Sequence, residues 1–559
     1  MRGNKGWFVL ILLLFAVVLQ SAGSIRSISP TWDETHYFGL GYYLFKHPSW
    51  DVPSTTLHPP LSYYLNSIPF IWYAPDISAW NLPPAFTGKD KSNLTIPISG
   101  LKLLTDPRYP QDRLLMLARV PTLLLALLLA FFLFKWTYEL YGELQALLAL
   151  FLFSFCPNML AYSGLITPDM ALTCFTFISL YCLWKVLRWN GGWGWIIACS
   201  LSLGCALLSK YTALIQFPVF IVVATAFFLS HEDVQLPDNY PFSRRLRHKG
   251  AMRTALRILS LLLFIFLLSF FVLILGYRFQ LHHYFRGVTH QLLHAEGGHP
   301  SFLMGQYSQS GWWYYYFMAF LLKTPIPLIL LLIMGLWHYL KGVRRASADL
   351  IFILAPIAMY FILFSVHHQS IGLRYILPIY PFLFMLAGTA LGQVKIAGLK
   401  TWRYITVAVL CVWYLIGTIT VYPHYLAYFN EAAGGPDNGY RYLVDSNLDW
   451  GQDLKGLGLY LKEKGVDKIH LSYFGTADPN YYGIRYEWMP SYYLPEDYRD
   501  RSARMRSFSF PNTGMLAISA TNLQNVYFSD KQFYDWLKRY EPIDKIGYSI
   551  FIYDLDRIR

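Results

Sequence analysis

The stretch Thr31-Trp-Asp-Glu-Thr-His-Tyr-Phe38 sets two adjacent carboxylates just beyond the first apolar run of the chain. A carboxylate beside a poor nucleophile can take its proton during attack. It can also start a helix, and the spacing here suits that too. Thr31 and Glu34 have the separation of a capping box, and acids in a first turn complement the helix dipole. Neighbours on a helix point about 100° apart, so Asp33 and Glu34 cannot act as interchangeable partners. If Glu34 closes the box, Asp33 is the free carboxylate, on the face it shares with His36 or Tyr37.

Other polar groups recur at the edges of apolar runs. His58 lies in Leu57-His-Pro-Pro-Leu61, and Asp169 follows Thr167-Pro168 at the start of a run. A threonine cap with proline at the first helical position accounts for Asp169 structurally. Lys210 separates two runs, while Lys323 and Arg374 each precede one. Snorkelling is the generic account of such cations. On the side of a membrane that usually lacks positive charge, three of them call for an anion, either lipid phosphate or a bound substrate phosphate. Histidines are frequent, yet no HExxH and no zinc spacing occurs, and no metal ligand set is assigned. In the tail, Asp445-Ser-Asn-Leu-Asp449-Trp-Gly451 imitates a calcium loop. Its glycine stands one place late and Gly456 occupies the position of the closing glutamate. An EF-hand is rejected, and a looser cation site stays as an expectation.

These groups need a scaffold. The 559 residues are 55% hydrophobic and 14% charged, more apolar surface than a soluble core of this size hides. Runs long enough to cross ~30 Å of hydrocarbon fall near 7–24, 114–136, 144–163, 168–188, 193–208, 211–229, 256–277, 324–341, 349–366, 373–392 and 404–422. The first run reads as a retained anchor. Arg2 and Lys5, the 244–253 cluster, Lys341 with Arg344 and Arg345, and Lys395 with Lys400 and Arg403 then share one side, the cytoplasm. The net charge of +13 is thus mostly topology, and nucleic acid is disfavoured as a partner. Loops 25–113 and 278–323 and the tail face outward, as does the Asn93-Leu-Thr95 sequon. The six cysteines sit in apolar runs as small hydrophobes. In the tail, Leu454, Leu457 and Leu461 predict a helix closed by Gly465, and 469–474, 515–519 and 548–553 predict strands.

The ordered set "WDETHY", "HPPL", "TPD", "LSKYTAL", "GWWYYYFMAFLLKTPIP" and "GLRYILPIYPFL" resembles the GT-C glycosyltransferases. Within them it is similar to the dolichyl-phosphate-mannose protein mannosyltransferases and their bacterial relatives, the aminoarabinose transferases of lipid A among them. The resemblance covers 1–425 and implies an all-α polytopic membrane domain of GT-C type, with about eleven transmembrane helices by run length; the tail over 426–559 reads from its own pattern as a small extracytoplasmic α/β domain. It implies a bacterial inner-membrane enzyme working outside the cytoplasm. The catalytic base carries onto Asp33, the carboxylate before the fourth span onto Asp169, and a phosphate contact onto Lys210. Glu34, Lys323 and Arg374 follow, with His58 placed among the donor-binding residues. The implied reaction moves a sugar from a polyprenyl-phosphate donor to a hydroxyl of a protein or glycolipid, with inversion. It requires no cofactor and leaves a divalent cation open. The competing class, a lipid-linked saccharide transporter, wants ionisable groups near span centres, whereas here they gather at span ends.

Overall fold

The computed structural model describes residues 4–47, 50, 55–73, 75–76, 100, 104, 106, 108–188, 192–230, 250–342, 348–366, 369–392, 400–491 and 508–558. The sequon at 93–95, His367, His368 and most of the basic loop residues that argued for orientation lie outside them.

Among the described residues, eight helices are long and apolar enough to cross a membrane. They are Gly6–Ser27, Gln111–Tyr141, Pro168–Arg188, Tyr211–Leu229, Met252–Gly276, Asp349–Val366, Leu373–Leu391 and Thr401–Thr420. Two bent pairs add to these: Glu143–Ser154 with Pro157–Ser163 at 63°, and Tyr315–Lys323 with Ile326–Leu340 at 106°. With the shorter Trp193–Leu207, every apolar run of the sequence has its helix. The chain is a multi-pass membrane protein. Proline explains both bends. It lacks the N–H that continues a ladder, and it drives the preceding residue out of the helical region. Thr324, before Pro325, is extended accordingly, and Cys156 precedes Pro157 in the same way.

After α1 (Asn4–Ser27), two helices, α2 (Glu34–Lys46) and α3 (Leu61–Tyr73), lie against each other, α2 buried over most of its length and α3 along one face. Gly41 permits their approach, since a Cβ there would stand 2.2 Å from the Tyr63 carbonyl oxygen. The Asn66 amide then ties α3 to the Gln111–Tyr141 helix through Ala118 O at 2.7 Å and Thr122 Oγ1 at 2.8 Å.

The tail folds as the sequence predicts and adds two strands that it did not reveal. Helix Leu454–Lys464 ends at Gly465 in the left-handed region. Strands β1 (Ser301–Leu303) and β2 (Gln306–Ser308) form an antiparallel hairpin; the tail carries a five-stranded sheet in which β3 (Ile469–Ser472) is parallel to β4 (Tyr486–Trp488) on one side and β5 (Met515–Ser519) on the other. β7 (Ile550–Asp554) is antiparallel to β5 and to β6 (Asp544–Ile546). One face of this sheet has its own small core around Leu454, Leu457 and Leu461. Leu516, Ile518 and Phe551, from β5 and β7, belong instead to the large core that contains the spans. The tail is therefore packed onto the membrane part. Residues 29–32 pair with 450–452 through Ser29 N–H to Gln452 O at 2.8 Å and Trp32 N–H to Trp450 O at 2.9 Å.

Candidate active site

Asp33 and Glu34 part company in space. Helix α2 begins at Glu34, and Asp33 precedes it as a cap residue whose side chain bonds no backbone of the helix. Half of the expected capping box forms. A Glu34 carboxylate oxygen reaches back to the Thr31 N–H at 2.8 Å, but the Thr31 hydroxyl donates to that same oxygen at 3.1 Å and caps nothing. Arg119 explains why. Buried in the Gln111–Tyr141 helix, it grips Glu34 with Nε at 2.8 Å and Nη2 at 2.6 Å. The Ile166 N–H completes the set at 3.0 Å. Arg119 spends its remaining donors on the carbonyls of Ile25, Ile28 and Ser29. This pair is a rivet between the end of the first span, the start of α2 and the approach to Asp169. Sequence reasoning passed Arg119 over, although an arginine inside an apolar span is itself a signal.

Asp33 points the other way, a quarter exposed, and accepts from Arg374 Nη1 at 2.9 Å. The same guanidinium nitrogen lies 3.9 Å from Asp169, whose other oxygen accepts from Lys210 Nζ at 2.7 Å. Four of the anticipated residues thus form one row of alternating charge: Asp33, Arg374, Asp169, Lys210. Each comes from the end of a different element. Asp169 is the second residue of Pro168–Arg188, Lys210 immediately precedes Tyr211, and Arg374 opens the turn of 3-10 helix Leu373–Ile379. The row still has capacity. Asp169 Oδ2 and Arg374 Nε are buried without hydrogen bonds, and Lys210 has three donors.

Aromatic rings hold the cations. Tyr375 lies under Lys210 Nζ at 4.1 Å, and Trp450 lies under the Arg374 guanidinium at 4.3 Å. Such contacts fix direction without neutralising charge. Burial pulls Lys210 down from the usual ammonium range, against the upward pull of Asp169. His58 joins the margin of the row. It stacks on Tyr37 at 5.8 Å, and the Leu61 N–H bonds Leu208 O at 2.9 Å, binding its segment to the one that carries Lys210. Burial, then Lys210 and Arg374, press the His58 imidazole well below its ordinary value, so it is neutral. Its Nδ1 has no hydrogen-bond partner.

Lys323 lies elsewhere. Its ammonium donates to the carbonyls of Leu426 at 3.0 Å, Tyr428 at 2.9 Å and Asn447, over the ring of Phe429. Three donors meet three acceptors, which leaves none for a phosphate. The tail segment 444–453, considered in the sequence only as a loose cation site, is instead a strap beside the row. Asn447 accepts from the Leu373 N–H at 2.9 Å and donates to Ile371 O and Tyr315 Oη. Tyr162 Oη donates to Ser446 O at 2.9 Å. Gly372 admits this strap, since a Cβ there would meet Ser446 Oγ at 2.4 Å. Among the described residues no group of three or more His, Cys, Asp or Glu is placed to hold a metal ion.

Two family models match the chain. Residues 114–243 match the dolichyl-phosphate-mannose-protein mannosyltransferase family, and residues 303–435 match the Alg9-like mannosyltransferase family. No curated protein sequence matches. Among solved structures, the chain is similar to ArnT from Cupriavidus metallidurans bound to undecaprenyl phosphate, at 13% identity and TM-score 0.48, over 100% of this chain and 99% of that one. The oligosaccharyltransferase of Archaeoglobus fulgidus, tethered to an acceptor peptide, aligns at 12% identity and TM-score 0.45, over 91% and 61%. The Pmt1-Pmt2 protein O-mannosyltransferase of S. cerevisiae, bound to its sugar donor, aligns at 16% identity and TM-score 0.34, over 51% and 35%.

Proposed function

We propose that this chain, two stretches of which match mannosyltransferase family models, is a GT-C membrane glycosyltransferase that moves one sugar from a polyprenyl-phosphate donor to an acceptor hydroxyl at the outer membrane face. The observation that carries this reading is the row Asp33–Arg374–Asp169–Lys210, which sets a partly exposed carboxylate beside two cations with donors to spare. The acceptor oxygen attacks the anomeric carbon from the face opposite the phosphate, and its proton passes to Asp33. The bond from that carbon to the phosphate oxygen breaks, and its electron pair leaves with the phosphate. Lys210 and the free guanidinium edge of Arg374 meet the charge that develops there. A phosphate leaves without a general acid. One carboxylate with no covalent step gives inversion.

Asp169 is a positioning residue in this scheme, holding both cations so that they are aimed before the donor arrives. His58, neutral and unpaired, is a hydrogen-bond partner for the donor head. Glu34 and Lys323 fall outside the reacting set, the first saturated by Arg119 and the second by carbonyls. The acceptor is a protein or a glycolipid, and the 426–559 tail is extracytoplasmic, on the side of the row. None of these residues needs a cofactor for its part. Equal turnover with and without a chelator is the expected result.

The test is Asp33→Asn in proteoliposomes. Transfer should fall by about 10²–10⁴-fold, the usual worth of a general base. Binding of undecaprenyl phosphate should stay within about twofold, since the phosphate contacts are untouched. Turnover close to that of the unaltered protein would remove Asp33 as the base. Movement of the lipid-linked sugar across the bilayer without transfer would favour the transporter class.

A further inference from the structure

Next to the charged row, on the far side of the tail strap, lies a second polar group that the reaction above does not use. Asp445 sits in the left-handed backbone region at φ 56°, a conformation that Asp and Asn tolerate better than other side-chain-bearing residues. Its carboxylate accepts from the Ser446 N–H and from the Tyr527 hydroxyl. Two of about four lone-pair sites are therefore still unspent. Tyr527 meets His299 edge-on at 5.8 Å. His299 Nδ1 lies 3.0 Å from Pro300 O, and because a carbonyl only accepts, the proton of the neutral ring is on Nδ1. Nε2 then carries a lone pair, and among the described residues nothing bonds it. Tyr527 in turn stacks on Phe474 at 5.5 Å and 10°, and Phe474 on Trp32 at 5.0 Å and 18°. The row of rings runs from the residue beside Asp33 to the residue beside Asp445.

The position of this group is set by the strap. Ser446 and Asn447, the two residues after Asp445, are bound to Tyr162 and Leu373, and Trp450 carries Arg374. Asp445 is close enough to Arg374 and Tyr375 for each to feel its charge. The group is rich in acceptors, the Asp445 carboxylate oxygens and the lone pair on His299 Nε2. Burial raises the Asp445 carboxyl and lowers the His299 imidazole. Phosphate would find few donors there. Sugar hydroxyls, which are donors, would find acceptors at fixed spacing. The rings stack on one another with Phe474 buried between Trp32 and Tyr527, which fixes the Tyr527 hydroxyl beside Asp445.

We propose that Asp445, His299 and Tyr527, with the ring row Trp32–Phe474–Tyr527, form the subsite that recognises the sugar of the donor, so that the tail domain determines sugar selectivity. This deepens the glycosyltransferase reading and rests on it. It also gives the tail a task, since without 444–453 the row would lose both the support of Arg374 and one wall.

The experiment measures binding and turnover separately in the full-length protein. Kd is determined for undecaprenyl phosphate and for synthetic undecaprenyl-phosphate mannose, glucose, galactose and 4-amino-arabinose. The ratio of the bare-lipid Kd to the sugar-lipid Kd reports what the sugar adds. Asp445→Asn, which keeps the backbone conformation, and His299→Gln should each reduce that ratio by about 10-fold for the preferred sugar, the worth of one hydrogen bond to a polar site. Affinity for undecaprenyl phosphate itself should stay within about twofold, which also reports folding. Tyr527→Phe should do the same more weakly. Ratios unchanged in Asp445→Asn and His299→Gln would overturn the assignment, and so would variants that alter only the dependence on acceptor. Turnover distinguishes the two levels. If the sugar ratio falls as expected but Asp33→Asn still transfers, the subsite stands and the mechanism falls. If Asp33→Asn is dead and the ratio is unmoved, the reverse holds.

Discussion

Asp33 and Glu34 are the same chemistry one residue apart, and they end in opposite conditions. Glu34 is fully buried and has five donors on it: two from Arg119, two from Thr31 and one from Ile166. Asp33 is a quarter exposed with, among the described residues, a single ion pair, to a cation that is itself shared. A carboxylate with every lone pair taken is held in one protonation state and one place. A carboxylate with one partner and a quarter of its surface exposed can exchange that partner for a substrate. The 100° turn between neighbours makes the difference available, and Arg119 imposes it.

The largest expected effect breaks the rivet. Arg119→Leu leaves Glu34 charged and unpaired in the interior, which costs about 3–5 kcal/mol. Thermal unfolding in detergent should show a loss of many degrees, or no folded protein at all. Asp33→Asn should leave the unfolding midpoint within a degree or two of the unaltered protein, ~0.5 kcal/mol or less, while removing turnover. If the two substitutions traded outcomes, Glu34 would be the working carboxylate and Asp33 the structural one.

A third carboxylate sharpens the contrast by being buried without a cation. Asp449 accepts the Thr521 N–H at 2.7 Å on one oxygen and bonds nothing with the other. Burial pushes it from 3.8 up to about 8. In the unfolded chain the group ionises near 3.8; in the folded protein it holds its proton until about pH 8. Across that window the unfolded state binds fewer protons, so this group's share of stability is full below the lower value and declines as pH rises through the window. The slope approaches ~1.4 kcal/mol per pH unit and levels off above the upper value. Asp449→Asn should flatten that decline and raise the unfolding midpoint at pH 8.5, while changing little at pH 4. An unchanged pH profile would show that Asp449 is ionised where it lies.

Much of this was legible in the sequence. Apolar run length located the spans because hydrocarbon thickness demands it, and the tail helix followed from leucine spacing and Gly465. Asp33, Asp169, Lys210 and Arg374 could be collected as span-edge charges. What joins them could not, since closing the row at Asp33 depends on a contact with Arg374, 341 positions away. Lys323 shows the limit most clearly. Before Thr324-Pro325 it has the sequence context of a phosphate contact, but the bend at that proline turns it into the tail, where three carbonyls take it. The strap was hidden for a related reason. Asp445, Asn447 and Asp449 imitate a cation loop in spacing, yet their side chains diverge to Tyr527, Leu373 and Thr521. The strands β4 and β6, three residues each, are too short to show an alternating pattern.

Lys210 and Arg374 can be compared next. Lys210→Gln removes the ammonium but keeps a donor, and it leaves Asp169 with Arg374 alone. Loss of one charge-assisted hydrogen bond to phosphate is worth about 1.5–3 kcal/mol, so the Kd for undecaprenyl phosphate should rise about 10–100-fold. Turnover at saturating donor should fall less than the affinity does. Equal donor binding in this variant would remove Lys210 from the phosphate site and leave Arg374 as its only cation.

The smallest effect concerns the ring beneath Arg374. Trp450 makes no hydrogen bond to the guanidinium; it offers a face at 4.3 Å, and its backbone carbonyl is held by the Trp32 N–H. Trp450→Leu keeps that backbone link and an apolar side chain, and removes the π-face together with part of the buried volume. Such a contact is worth about 0.5–2 kcal/mol, so kcat/KM should drop by roughly 2–30-fold with the fold intact. Because Arg374 joins Asp33 to Asp169, a guanidinium that wanders weakens both ends of the row at once. Asp33 would also lose its direction, and the loss should appear in kcat as well as in donor affinity. A change confined to donor affinity would mean that Trp450 serves the phosphate alone. No change at all would mean that the pair with Asp33 is enough to hold Arg374, and the tail would then act on Arg374 through the Asn447 side chain, which bonds the backbone of Ile371 and Leu373.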